Sequence, residues 1–122
     1  MAVTVTNQAT PIGNKLVQDN DADNTGANNT TGAAGTIYYL EIDNTLNAGQ
    51  IVYFKMMDAA SVTVGTDDPH YIFRIVGGAR RSIIFPLGLV FSTGFTHWCV
   101  TSQVTSSTTS PTANVTVRYV TT

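Results

Sequence analysis

The sequence predicts an all-β fold, a single β-sandwich of seven or eight strands preceded by an extended N-terminal arm. From residue 36 onward, short apolar runs recur at spacings of roughly 8 to 12 residues, separated by Gly, Pro, Asn and Asp. No longer stretch has the 3.6-residue apolar period of a helix. The length of 122 residues suits one hydrophobic core rather than two.

The first 35 residues differ in composition from the rest. Residues 14–35 hold few large apolar side chains and many Asn, Asp, Gly, Thr and Ala residues. Such a segment cannot bury enough surface by itself to offset the entropy of ordering. We therefore predict a polar arm over residues 1–35, with a short strand in the alternating residues 1–8, and a sandwich domain over residues 36–122. The arm is expected to serve assembly rather than folding of the domain.

The strands of the sandwich follow from the apolar runs and the turns that end them. Gly77-Gly78 is interpreted as a hairpin turn, and Pro86 with Gly88 is expected to break a strand. The predicted strands are residues 36–42, 50–57, 61–64, 70–76, 81–85, 89–91, 95–103 and 114–120.

Two of these strands, residues 50–57 and 70–76, are apolar on both faces. A sandwich strand normally buries one face and leaves the other to water, so the second face needs a cover. Another subunit is the simplest cover. With the nearby arginines, this second face forms the predicted oligomer or capsid interface, which comprises Ile51, Tyr53, Met57, Ile72, Arg74, Val76, Arg80 and Arg81.

The charge of the chain argues against several partners. Charged residues make up 11% of the sequence and the formal net charge is −2, which favours self-association and disfavours nucleic-acid binding. The cluster Arg74, Arg80 and Arg81 admits two interpretations, a patch for phosphate or an acidic partner, or a strand edge kept soluble by charge; we favour the second. No segment approaches the about 20 apolar residues of a membrane span, so no membrane partner is expected.

The candidate chemical groups do not form a recognisable catalytic site. His97 and Cys99 lie two residues apart on a predicted strand and could pair as imidazolium and thiolate, but burial in the core is the favoured interpretation. Alternate aspartates in residues 19–23 resemble the beginning of a calcium loop, although the glycine and glutamate that complete such a loop are absent. We expect no enzymatic activity, no cofactor and no metal.

The block over residues 52–100 resembles a module of bacteriophage structural proteins. The resemblance is carried by Lys-x-x-Asp at residues 55–58, Gly-Thr-Asp-x-Pro at 65–69, Phe-Pro-x-Gly at 85–88 and Phe-Ser-x-Gly at 91–94. It implies a non-enzymatic virion structural protein made in the host cytoplasm. The polar arm ahead of the module favours a capsid decoration, or cement, protein with a sandwich of jelly-roll type.

As a decoration protein, the chain is expected to bind the major capsid protein on the capsid exterior and to bridge neighbouring subunits. It would do so as a homo-oligomer, with a trimer favoured. The alternative is a phage tail or fibre module that binds a host-surface receptor or glycan. An exposed, concave aromatic face would favour this alternative, and an arm ordered over a neighbouring chain would favour decoration.

Overall fold

The computed structural model of the chain describes residues 3–10, 13–28 and 33–122, which form strands, turns and no helix. The predicted all-β class is therefore confirmed for these residues. They contain no helix that could cross a membrane. The strands are β1 (Val3–Thr10), β2 (Gly13–Ala22), β3 (Ala27–Asn28), β4 (Gly35–Asp43), β5 (Val52–Asp58), β6 (Tyr71–Ile75), β7 (Arg80–Phe91), β8 (Phe95–Val100) and β9 (Val115–Thr121).

The nine described strands form two antiparallel sheets. Sheet A has the order β1-β2-β9-β4-β7, and sheet B has the order β3-β8-β5-β6. Both sheets contribute to one hydrophobic cluster, with Leu40 and Tyr119 from sheet A and Phe54 from sheet B among its buried members. The rings of Phe95 on β8 and Tyr119 on β9 lie 4.5 Å apart between centroids. The two sheets thus pack on each other across a shared core, in a sandwich-like arrangement.

The described part of the predicted arm contributes strands to these sheets. Strand β2 pairs with β1 on one side and with β9 on the other, and Val17 and Asp19 are fully buried. The expectation that residues 14–35 lie outside the folded domain is corrected here for residues 14–28. The segment has few apolar groups of its own, but β9 satisfies its backbone hydrogen bonds and the rest of the core covers Val17. Residues 1–2, 11–12 and 29–32 lie outside the described residues.

Two of the predicted strands differ from the structure for local reasons. Residues 61–64 form no strand and lead into a turn over residues 64–66, because the Thr63 carbonyl accepts hydrogen bonds from the amides of Thr66 and Asp67. The predicted strands 81–85 and 89–91 are one strand, β7. Pro86 and Gly88 make a bulge within it rather than ending it, as described below.

Candidate interaction surface

The inner and outer sides of β5 follow the predicted alternation. Val52, Phe54 and Met56 are fully buried in the core between the sheets. On the outer side of sheet B, Lys55 is also fully buried, and it stands opposite Trp98 of β8 in the strand register. The centre of this outer side is therefore covered.

The cover is the segment 101–114, which connects β8 to β9. Lys55 Nζ donates a hydrogen bond to the Val104 carbonyl at 2.8 Å, and burial lowers the pKa of this lysine. Asn24 Nδ2 donates to the Thr108 carbonyl at 2.7 Å and ties the same segment to the end of sheet B near β3. The prediction that another subunit covers the second face of residues 50–57 is wrong at Lys55, because the chain itself covers it.

Strands β6 and β7 lie together on one side of the sandwich. β6 is the last strand of sheet B, and β7 is the last strand of sheet A. Arg81 Nη1 at the beginning of β7 donates to the Arg74 carbonyl of β6 at 3.2 Å, so the two edges are adjacent where the turn connects them.

A buried asparagine holds the turn between β6 and β7. The Asn44 backbone amide donates to the Ala79 carbonyl at 2.9 Å, and its side-chain Nδ2 donates to the Val76 carbonyl at 3.1 Å. A Cβ atom on Gly77 would lie 2.5 Å from the Gly49 amide nitrogen, so only glycine fits this close approach. The position of the two edges relative to each other is thus fixed by hydrogen bonds and close backbone packing.

The exposed apolar side chains of the described residues concentrate on this side. Of the eight large apolar side chains that are strongly exposed, six lie on β6, on β7 or in the turn between them. The other two, Leu46 and Val104, lie elsewhere in connecting segments. We call the set on this side the β6–β7 edge; it comprises Tyr71, Ile72, Val76, Ile84, Leu87 and Val90, together with Arg74, Arg80 and Arg81.

A bulge places Leu87 at the tip of this surface. In the register of β4 with β7, Ile37 stands opposite Leu89 and Tyr39 opposite Ile84, so residues 85–88 stand opposite a single residue of β4. Gly88 has a φ of +79°, and a Cβ there would lie 2.3 Å from Thr36 Cγ2. The side chain of Leu87 is 97% exposed as a result.

The same bulge changes what the β7 edge can bind. Pro86 has no amide hydrogen, and the extra residues break the regular spacing of backbone donors and acceptors. Both features are devices by which natural proteins prevent another strand from pairing with an exposed edge. The β7 edge therefore offers apolar side chains to a partner rather than a ladder of backbone hydrogen bonds.

The arginines of the β6–β7 edge have different environments. Arg80 forms an ion pair with Asp43 at 2.9 Å. The pKa of Asp43 lies below its ordinary value, first because of the hydrogen bond from the Thr45 side chain and further because of Arg80. Arg81 donates to the Arg74 carbonyl, and Arg74 itself is exposed.

The structure places the predicted interface residues in two groups. The exposed group lies on the β6–β7 edge and comprises Ile72, Arg74, Val76, Arg80 and Arg81. The half-buried group comprises Ile51, Tyr53 and Met57. Sequence reasoning missed Ile84, Leu87 and Val90, because the Pro86 region was interpreted as a turn between two strands. The apolar residues on both sides of that proline were the available signal.

His97 and Cys99 lie in the core rather than at a surface. His97 Nε2 and Asp19 Oδ2 are 2.9 Å apart, and both side chains are fully buried. Burial, with the Asp19 and Asp23 carboxylates, raises the pKa of the Cys99 thiol, which disfavours the reactive thiolate. The Asp19–His97 pair connects β2 of sheet A to β8 of sheet B, so its evident effect is to hold the sheets together.

No cluster of metal-binding side chains is found in the described ranges, where His, Cys, Asp and Glu do not gather in groups of three. Comparisons with models of protein families, with curated proteins and with solved structures each found no match. The resemblance to phage structural proteins therefore rests on the sequence motifs alone.

Proposed function

We propose that this chain is a non-enzymatic virion structural protein, a capsid decoration protein that coats the capsid exterior. It binds the major capsid protein, associates with other copies of itself and bridges neighbouring capsid subunits. The observation that carries the proposal is the β6–β7 edge of a small, weakly charged domain, whose two strands and turn hold six of the eight strongly exposed apolar side chains of the described residues. Exposed apolar patches of this kind mark protein–protein contacts.

We include in this proposal that the sandwich is a jelly roll. Strands β2 to β9 are arranged as β2-β9-β4-β7 in one sheet and β3-β8-β5-β6 in the other, with β1 added at an edge. From β2 to β9, each strand is followed by a strand of the other sheet, except that β5 is followed by β6 in the same sheet. This order agrees with the eight strands of a jelly roll, which is built from two Greek keys. Jelly rolls occur in viral capsid proteins and in lectins, among others, so the topology supports a virion role without distinguishing the head from a fibre.

The composition of the β6–β7 edge favours a protein partner. Ile84, Leu87 and Val90 are aliphatic, and they form a convex tip rather than a cleft for a small molecule. Their exposed area is of the order of a few hundred Å², which is a substantial part of the about 800 Å² that each partner buries in a standard interface. The remaining interface area would come from further contacts that each copy makes on the capsid.

The alternative, a tail or fibre module that binds a host-surface glycan, has less support. Sugar binding by such a module would use aromatic side chains on an open face. Tyr71 is the one aromatic residue among the strongly exposed large apolar side chains of the described chain. We therefore propose the capsid rather than the fibre as its location.

The test is binding to capsids assembled without this protein. Purified protein is mixed with such capsids and the bound fraction is measured by co-sedimentation through a density gradient. We expect saturable binding, and we expect Leu87→Asp to weaken it at least tenfold, because the carboxylate would lose water in an apolar contact. The matched control is Leu46→Asp, at a 69% exposed leucine that follows Asp43 and so lies near the beginning of β7, at the other end of the strand from Leu87; it should bind like the wild type.

Two results would contradict the proposal. One is the absence of binding to capsids; if the protein instead binds host cells or purified surface glycans, the fibre alternative is correct. The other is equal binding by both variants, which would show that the β6–β7 edge is not the capsid contact.

A further inference from the structure

We propose that β6 pairs with β6 of a second copy of this chain, antiparallel and around a two-fold axis, so that sheet B continues across the contact. The inference rests on the self-association in the proposed function and specifies its partner and geometry. It assigns the two edges different roles: β7 binds the capsid through side chains, and β6 binds another copy through its backbone.

The first step is the state of the β6 edge. In the described sheet, β6 has β5 as its neighbour on one side. The hydrogen bond from Arg81 Nη1 to the Arg74 carbonyl indicates that this carbonyl points away from β5. Because backbone direction alternates along a strand, the amide and carbonyl of Ile72 point to the same free side. Such a row of groups is a template for another strand.

The second step is that this edge lacks the bulge and proline that protect β7, although Arg81 already donates to one of its carbonyls, that of Arg74. β7 has a bulge with Pro86, but β6 is a regular five-residue strand from Tyr71 to Ile75. Immediately before the strand, the His70 amide donates to the Met56 carbonyl at 2.8 Å, so the backbone there faces β5 and the free side of β6 begins at Ile72. Ile72, on the outer side of sheet B, is 44% exposed, and the segment that covers Lys55 leaves it open. A second strand beside β6 would cover it.

The third step is that β6 is complementary to itself in charge. Asp67 and Asp68 precede the strand, and Arg74 lies near its other end, close to Arg81. Antiparallel pairing around an axis at Ile72 sets the acidic end of each copy against the basic end of the other. Ile72 then faces its own copy and Arg74 lies opposite His70, so the two acidic residues that precede each strand lie toward the basic end of the second copy. Parallel pairing would place like charges together.

The fourth step is the number of copies. A contact in which the same edge meets itself is isologous and closes at two copies. The pairing therefore predicts a dimer in solution, rather than the trimer favoured from the sequence. The low charge of the chain, 11% of residues, leaves little repulsion between the two copies.

The test measures the mass of the full-length protein in solution without capsids. Light scattering coupled to gel filtration, and sedimentation equilibrium over micromolar concentrations, should give a dimer. Arg74→Glu and Asp68→Arg should each raise the dimer dissociation constant at least tenfold, because each brings like charges together. The double variant, Arg74→Glu with Asp68→Arg, should restore the dimer, since the attraction returns with its sign reversed. Thermal melting of each variant confirms that it is folded.

Asp68 also accepts a hydrogen bond from the Thr105 hydroxyl within its own chain, which Asp68→Arg removes. Restoration in the double variant separates this local loss from the contact between copies. The pairing would be overturned by a wild-type protein that is a monomer at every concentration or a trimer. It would also be overturned by a dimer that tolerates both single substitutions, or by a double variant that does not regain the dimer. A monomer that still binds capsids would overturn the pairing and the self-association and leave capsid binding standing; a dimer that does not bind capsids would do the opposite.

Discussion

The outer side of sheet B has two regions that differ in how their apolar side chains are covered. Over β5 and β8, the segment 101–114 contacts Lys55, and both Lys55 and Trp98, its neighbour in the strand register, are buried. Over β6, no such cover is present in the described chain, and Ile72 remains 44% exposed. The connections explain the difference: the one from β8 to β9 is long enough to cross the sheet, whereas β6 is joined to β7 by a short turn. Apolar residues on both faces of a strand thus indicate that something covers the outer face. The length of the neighbouring connections indicates whether the chain itself can supply that cover.

The largest expected effect tests whether the covered region behaves as core. Trp98→Ala should lower the free energy of unfolding by about 3–5 kcal/mol, because the indole is 2% exposed and its removal leaves a cavity beneath segment 101–114. Leu87→Ala, on the open β6–β7 edge, should change it by less than about 0.5 kcal/mol. Urea unfolding of both variants measures the difference. Similar losses in the two variants would show that the regions are not distinct.

A smaller effect is expected at Asp58, which holds the turn between the open strand β7 and the buried strand β8. Its carboxylate accepts hydrogen bonds from the Ser92 amide and hydroxyl and from the amides of Thr93 and Gly94, at 2.8–3.2 Å. The backbone hydrogen bond from Ser92 is the largest cause that lowers the pKa of Asp58 to about 2. Asp58→Asn keeps the shape but loses the charge, and should cost about 1–3 kcal/mol at neutral pH.

The pH dependence gives this prediction a second measurement. Because the folded-state pKa is below the ordinary value of 3.8, the carboxylate stabilises the folded state fully above that value. Its contribution is lost as pH falls toward 2. The difference in unfolding free energy between the wild type and Asp58→Asn should therefore shrink between pH 4 and pH 2. A difference that stays constant over that range would mean that the hydrogen bonds to Asp58 do not depend on its charge.

The smallest effect concerns the lysine under the cover. Lys55→Met should change the free energy of unfolding by less than about 1 kcal/mol. The variant loses the hydrogen bond to the Val104 carbonyl, but it no longer has to bury a charged ammonium group, and the two effects offset each other. Lys55→Ala is the matched control; it leaves a cavity and should cost about 2 kcal/mol or more. If Lys55→Met costs as much as Lys55→Ala, the ammonium rather than the packing of its stem holds the segment in place.

Much of the fold class could be predicted from local patterns. Alternation and turn residues located β5, β8 and β9 to within a few residues, since these strands carry their apolar side chains in their own sequence. The same reasoning found the β6 part of the β6–β7 edge. It also identified Cys99 as a core residue, which its full burial confirms.

The rest depends on residues distant in sequence. β2 carries few apolar side chains, and its burial comes from pairing with β9 about a hundred residues later. The Asp19–His97 pair joins residues from opposite halves of the chain, so neither residue alone indicates it. Predicting the exposure of Leu87 would require knowing that the strand continues past Pro86. Only the pairing of β7 with β4 shows that it does.

The two ends of sheet B also bear on whether the protein can polymerise. Among the described residues, β3 at the end opposite β6 comprises Ala27 and Asn28, and β6 is the longer of the two edges. If two copies join through β6, the contact uses the β6 edge of both copies, so the same pairing cannot add a third copy. Fibre formation needs an edge that remains available after each addition. Pairing through β6 therefore closes at a dimer and does not by itself extend the sheet into a fibril.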